Sequence, residues 1–140
     1  MTSKFTPIVK VRKQQRDAVE TRLAKARFEK HELEQKIISA CKDIEMIETP
    51  ISGDISLMRM SRERLAIIRK IKDRFEEEFL IKENEISQLR DKYKRIHLEF
   101  EKIKYLEGQD FQAWIEKAKK DEQLDMDEIS NMLFANKDKN

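Results

Sequence analysis

Residues 44–61 read IEMIETPISGDISLMRMS. Pro50 lacks an amide hydrogen and disfavours helix at Thr49. Gly53 permits a turn conformation closed to other residues, and Ser52 or Asp54 is placed to cap a helix that follows. The stretch therefore predicts a reversal of chain direction between two segments that carry one and the same apolar repeat.

That repeat alternates steps of four and three. Before the turn it runs Phe5, Val9, Arg12, Arg16, Val19, Leu23, Ala26, Lys30, Leu33, Ile37, Ala40, Ile44, Ile47. After the turn it runs Met58, Ser61, Leu65, Ile68, Lys72, Phe75, Phe79, Lys82, Ile86, Leu89, Tyr93, Ile96, Phe100, Ile103. Heptads sustained this long mark a coiled coil. The expected fold is all-α: a long antiparallel two-helix coiled coil, a helical hairpin with the second helix overhanging. The whole chain, 1–140, reads as one such hairpin. Helix one is expected near 3–48, the turn at 49–54, helix two near 54–135 and a disordered tail at 136–140.

In an antiparallel hairpin turning near residue 52, facing residues have numbers summing to about 105. Phe5 then faces Phe100, Arg12 faces Tyr93, Ala26 faces Phe79, Lys30 faces Phe75 and Ile44 faces Ser61. This register sets every polar seam position against an apolar one. It also invites a cation–π contact of Arg12 with Tyr93. The heptad phase continues across the turn, so a long parallel dimer would keep register too; Pro50 and Gly53 argue against it.

At 1.5 Å per residue the helices would span roughly 65–70 Å and roughly 120 Å. The heptad fades after Ile103, and Gly108, a weak helix position, follows. The overhang carries Phe111, Trp114 and Ile115, then Leu124, Ile129, Met132 and Phe134. An unpaired helix keeping such residues points to another protein that buries them. Phe111, Trp114 and Ile115 are the candidate partner-binding residues. The plainer reading is a helix that folds back on the hairpin or frays.

Composition narrows the function. Charged residues make up 41% of the chain, with 30 Lys+Arg against 28 Asp+Glu, a net charge of +2. Two Gly and two Pro cannot supply the turns of a strand-rich fold. No window has the uncharged apolar run of a membrane span or of a secretory signal. The charge balance argues against a dedicated nucleic-acid binder. One cysteine, Cys41, allows no intrachain disulfide and fits a reducing compartment.

No phosphate loop or nucleophile elbow is present, so no catalytic, cofactor or metal site is expected. His31 and His97 are isolated residues beside the seam, and Cys41 reads as a structural thiol. Asp121, Glu122, Asp125, Asp127 and Glu128 lack the turn glycine of a calcium loop. The basic start, Lys4, Lys10, Arg12, Lys13 and Arg16, precedes the first acid, Asp17. It suits an acidic protein surface, anionic lipid or nucleic acid, or else charges that balance nearby acids. Arg12 and Arg16 sit on the seam itself, at a cost in coiled-coil stability.

The chain resembles the flagellar type III export protein FliJ family, related to the YscO-type stalk proteins of injectisomes. Phe5, Val11-Arg12-Lys13 and Leu23-Ala24-Lys25-Ala26 look like that family's amino-terminal helix. The run from Lys119 to Glu128, followed by Ile129 and Phe134, looks like its charged carboxy-terminal segment. The resemblance implies a non-catalytic coiled coil similar to the rotary gamma subunit of F-type ATPases, cytoplasmic and peripherally associated with the inner membrane at the export apparatus. The implied partners are the hexameric type III export ATPase, the export gate membrane protein and export chaperones, with no nucleic acid and no membrane insertion. The isolated chain would be a monomer. By the same resemblance Arg12, Lys13 and Arg16, with Gln123, Asp127 and Glu128, are the expected ATPase contacts. The alternatives are a generic homodimeric coiled-coil scaffold and a holdase chaperone.

Overall fold

Asp54 starts the second helix. In the computed structural model its carboxylate Oδ1 accepts a hydrogen bond from the Ser56 amide at 3.2 Å. Its carbonyl accepts from Leu57 and Met58, at 3.1 and 3.3 Å. Gly53, just before it, has a φ of 150°, a backbone conformation that suits glycine. The structure describes residues 3–48 and 53–138. The expected turn residues 49–52, with the alternative cap Ser52, lie outside the described residues.

Two helices account for the fold, α1 (Thr6–Met46) and α2 (Ile55–Asp138), and there is no strand among the described residues. They pack against each other as a helical hairpin. Every predicted seam position, from Phe5 to Ile47 and from Met58 to Ile103, is buried or half-buried. α2 runs unbroken through Gly108, where a Cβ would meet nothing within 4 Å. It continues past Ala135 into the segment expected as a tail.

The chain divides into two compact units, Arg16–Arg95 and Met1–Gln15 with Ile96–Asn140. In the first, Leu23, Ala26, Ile86 and Leu89 form the buried core. Lys82 Nζ donates to Glu29 Oε2 at 2.6 Å, and Lys30 Nζ lies 3.4 Å from Glu83 Oε1. Facing residues therefore have numbers summing to about 112, one heptad beyond the expected register. Ala26 packs at Ile86, not Phe79, and the Lys30 ammonium stands 5.3 Å from the Phe79 ring centroid, not at Phe75.

The connection supplies the reason. α1 ends at Met46, and Ser61, expected opposite Ile44, instead donates its hydroxyl to the Glu48 carbonyl at 3.5 Å. The chain leaving α1 thus lies alongside the second turn of α2. The first residues of α2 are spent beyond the end of α1, and pairing starts a heptad later.

The second unit has the same offset. Ser3 is 4% exposed and its hydroxyl donates to Asp110 Oδ2 at 2.6 Å. Ser3 Oγ also accepts from the Phe5 amide at 3.2 Å, which fixes the start of α1. Arg12 Nη1 lies 3.0 Å from Glu99 Oε2. Ser3, just ahead of α1, thus carries the cover on α2 as far as Asp110, past the expected fading of the heptad near Ile103.

Candidate functional site

The expected ATPase-contact residues divide by what they already bind. Arg12 is held by Glu99 and by Gln15 Oε1, the latter at 3.2 Å. This ion pair is the partner of Arg12, in place of the expected Tyr93 stacking. The Arg16 guanidinium, 20% exposed, reaches Asp17 Oδ1 at 3.3 Å. Lys13, Gln123, Asp127 and Glu128 are exposed. Arg12 sits level with Glu99, and Gln123 lies roughly 36 Å further along α2. Within the unit of residues 1–15 and 96–140, Arg12 and Lys13 therefore form a basic patch and Gln123, Asp127 and Glu128 a separate polar-to-acidic one. A protein surface that met both would have to be large.

The ionisation of Glu29 and of Lys82 is shifted by their contact. The Lys82 ammonium donates to the Glu29 carboxylate, and this hydrogen bond and charge hold Glu29 below the usual carboxylate range. Hydrogen bonds to Glu29 and to Glu85, at 2.9 Å, push Lys82 up. Both groups serve the seam. His31 is exposed, His97 Nε2 lies 3.8 Å from Glu101, and Cys41 is half-buried. No group of three or more His, Cys, Asp or Glu among the described residues is placed to hold a metal ion. No helix among them is long and apolar enough to cross a membrane.

Phe111 is half-buried, Trp114 is 48% exposed and Ile115 40% exposed. All three follow Asp110, the residue bonded to Ser3. The apolar pattern does not fade here; it slips. From Ile103 the steps run through Glu107, Phe111 and Ile115, three successive fours, and then Ala118 restores alternation through Glu122, Asp125, Ile129 and Met132. A stretch of about eleven residues, Glu107 to Ala118, replaces a heptad step, the kind of insertion that locally unwinds a coiled coil. Reading α2 for a second phase rather than for continuation of the first would have found this stripe. Ser3 and Asp110 carried no such signal, because their bond joins residues 107 positions apart.

The chain matches the family model described as flagellar FliJ protein over residues 1–139. It belongs to the FliJ family. FliJ membership makes the chain a component of the flagellar protein-export apparatus, and the helical hairpin agrees with it. No curated protein and no solved structure matches the chain. The FliJ match covers both the basic start of α1 and the acidic segment of α2, which carry the candidate contacts.

Proposed function

We propose that this chain is a central-stalk-like coiled coil of flagellar export. In this reading it binds the hexameric export ATPase, promotes ring assembly and turnover, and links the ring to the export gate and to export chaperones. It does no chemistry of its own. Its place of action is the cytoplasmic side of the inner membrane, held there by protein partners.

The observation that carries the reading is the FliJ match over residues 1–139, together with two helices packed along an unbroken heptad seam. A two-stranded coiled coil is about 20 Å wide, given a helix diameter of roughly 10–12 Å, and suits the pore of a ring. Charged contacts that differ among ring subunits bias their conformations, since differential affinity shifts populations. Arg12, Lys13 and Arg16 of α1, with Gln123, Asp127 and Glu128 of α2, are the proposed contacts.

The test is ATP turnover and ring assembly of the cognate export ATPase, with and without this chain. The reversal Arg12→Glu with Arg16→Glu should abolish stimulation. Because Arg12→Glu would also set a carboxylate beside Glu99, Lys13→Glu is run in parallel; Lys13 is exposed, so its loss reports contact rather than folding. Stimulation that survives all three reversals, or that never occurs, would sink the reading.

A further inference from the structure

Beyond Asp110, α2 presents a second heptad stripe, Phe111, Ile115, Ala118, Glu122, Asp125, Ile129 and Met132, bordered by Trp114 and Leu133. It takes over beyond Asp110, the last position of α2 that the amino-terminal segment reaches through Ser3, so it continues an interface that already works by seam packing. Ile129, Met132 and Leu133 are 57–63% exposed. The stripe is about 33 Å long, six turns.

Its polar positions are the informative ones. Elsewhere along the paired seam the polar residues are cations, Arg12, Arg16, Lys30, Lys72 and Lys82, with Ser61 the exception. Here both are carboxylates, Glu122 and Asp125, at consecutive seam positions with apolar residues on either side. A second copy laid antiparallel on the same stripe would bring four carboxylates together at its centre, and like charges in contact on a seam disfavour that pairing.

We propose that residues 111–133 seat an amphipathic helix of another protein, apolar along its seam, with lysine or arginine at the two adjacent seam positions that meet Glu122 and Asp125. This deepens the reading of the overhang as a binding surface, and it needs no contact with the ATPase. Gln123, Asp127 and Glu128 lie roughly 130°, 170° and 90° around α2 from the middle of the stripe, so the contacts proposed for the ATPase fall outside it.

Trp114 is the sole tryptophan and borders the stripe, which gives a local readout. The probes are two designed amphipathic peptides of about three heptads, with a leucine seam, that differ at two central seam positions: arginine in one, glutamate in the other. Added to the full chain, the arginine peptide should shift Trp114 emission to the blue, saturably, and bind about tenfold or more tightly than the glutamate peptide. Glu122→Arg with Asp125→Arg should reverse the preference. Lys13→Glu should leave it unchanged, so failure of the ATPase reading and failure of this one are told apart. Equal binding of both peptides, no saturable shift, or a preference that survives the charge reversal would overturn the proposal. So would a blue shift that grows with protein concentration alone, since a second copy would then fill the stripe.

Discussion

Lys30 and Lys82 each reach across the helix pair to the glutamate beside the other: Lys82 to Glu29 at 2.6 Å, Lys30 to Glu83 at 3.4 Å. Two seam cations thus stand at one level, each held by an anion from the facing helix. A polar residue at a seam position costs stability but specifies register. This crossed arrangement is satisfied only when α1 and α2 are aligned as observed.

The Glu29–Lys82 pair should make stability depend on pH in one direction at each end. Glu29 is held below its ordinary range in the fold, so its contribution is present above the unfolded carboxylate range and is lost as pH falls through the folded value. Lys82 is pushed up, so its contribution is present below the ordinary lysine range and is lost as pH rises through the folded value. Thermal melts should show a plateau between about pH 5 and pH 10, falling on both sides. Lys82→Met should flatten the acid limb. An unchanged acid limb would show that Glu29 gains nothing from its partner. The groups are partly exposed, so the effect is small and weakens with salt.

Register is open to direct chemical test. In a Cys41→Ser background, Ala26→Cys with Ile86→Cys should oxidise to an intrachain disulfide, because the two positions share the core. Ala26→Cys with Phe79→Cys, the pairing one heptad away, should not. Replacing both seam lysines, Lys30→Leu with Lys82→Leu, should raise the melting temperature while letting the second disulfide form, since leucine accepts either alignment. The readout is the mobility of the oxidised chain before and after reduction.

Gly108 sits inside α2 with open space where its Cβ would be. Gly108→Ala should stabilise the helix by about 0.5–1 kcal/mol, through lost backbone entropy of the unfolded chain. Helicity and melting temperature by circular dichroism would both rise. A fall would mean that the helix bends at this point in solution.

The helices, their seam and the capping role of Asp54 were legible because each rests on local spacing or on one residue's chemistry. Register was not. Sliding one helix by seven residues returns apolar positions to apolar positions, so Leu23 and Ala26 find acceptable partners in either alignment. Centring the turn near residue 52 chose the wrong one, and the match of each polar seam residue to an apolar one did not expose the error. It took no account of Glu29 and Glu83, which lie beside the seam and satisfy two lysines at one level. The stripe from Phe111 to Met132 was half-legible: its large residues stood out, but its phase was hidden by the slip at Glu107.

That slip also turns distance into direction. A helix advances about 100° with each residue, so the count between Glu107 and Ala118 sets the compass bearing of the stripe relative to the side that α1 occupies. One residue added there would leave composition, helicity and charge nearly as they are, yet swing the stripe by more than a quarter-turn. For a surface that must meet one helix while its neighbour holds another, orientation is the quantity this short stretch encodes, and it does so by arithmetic rather than by any side chain.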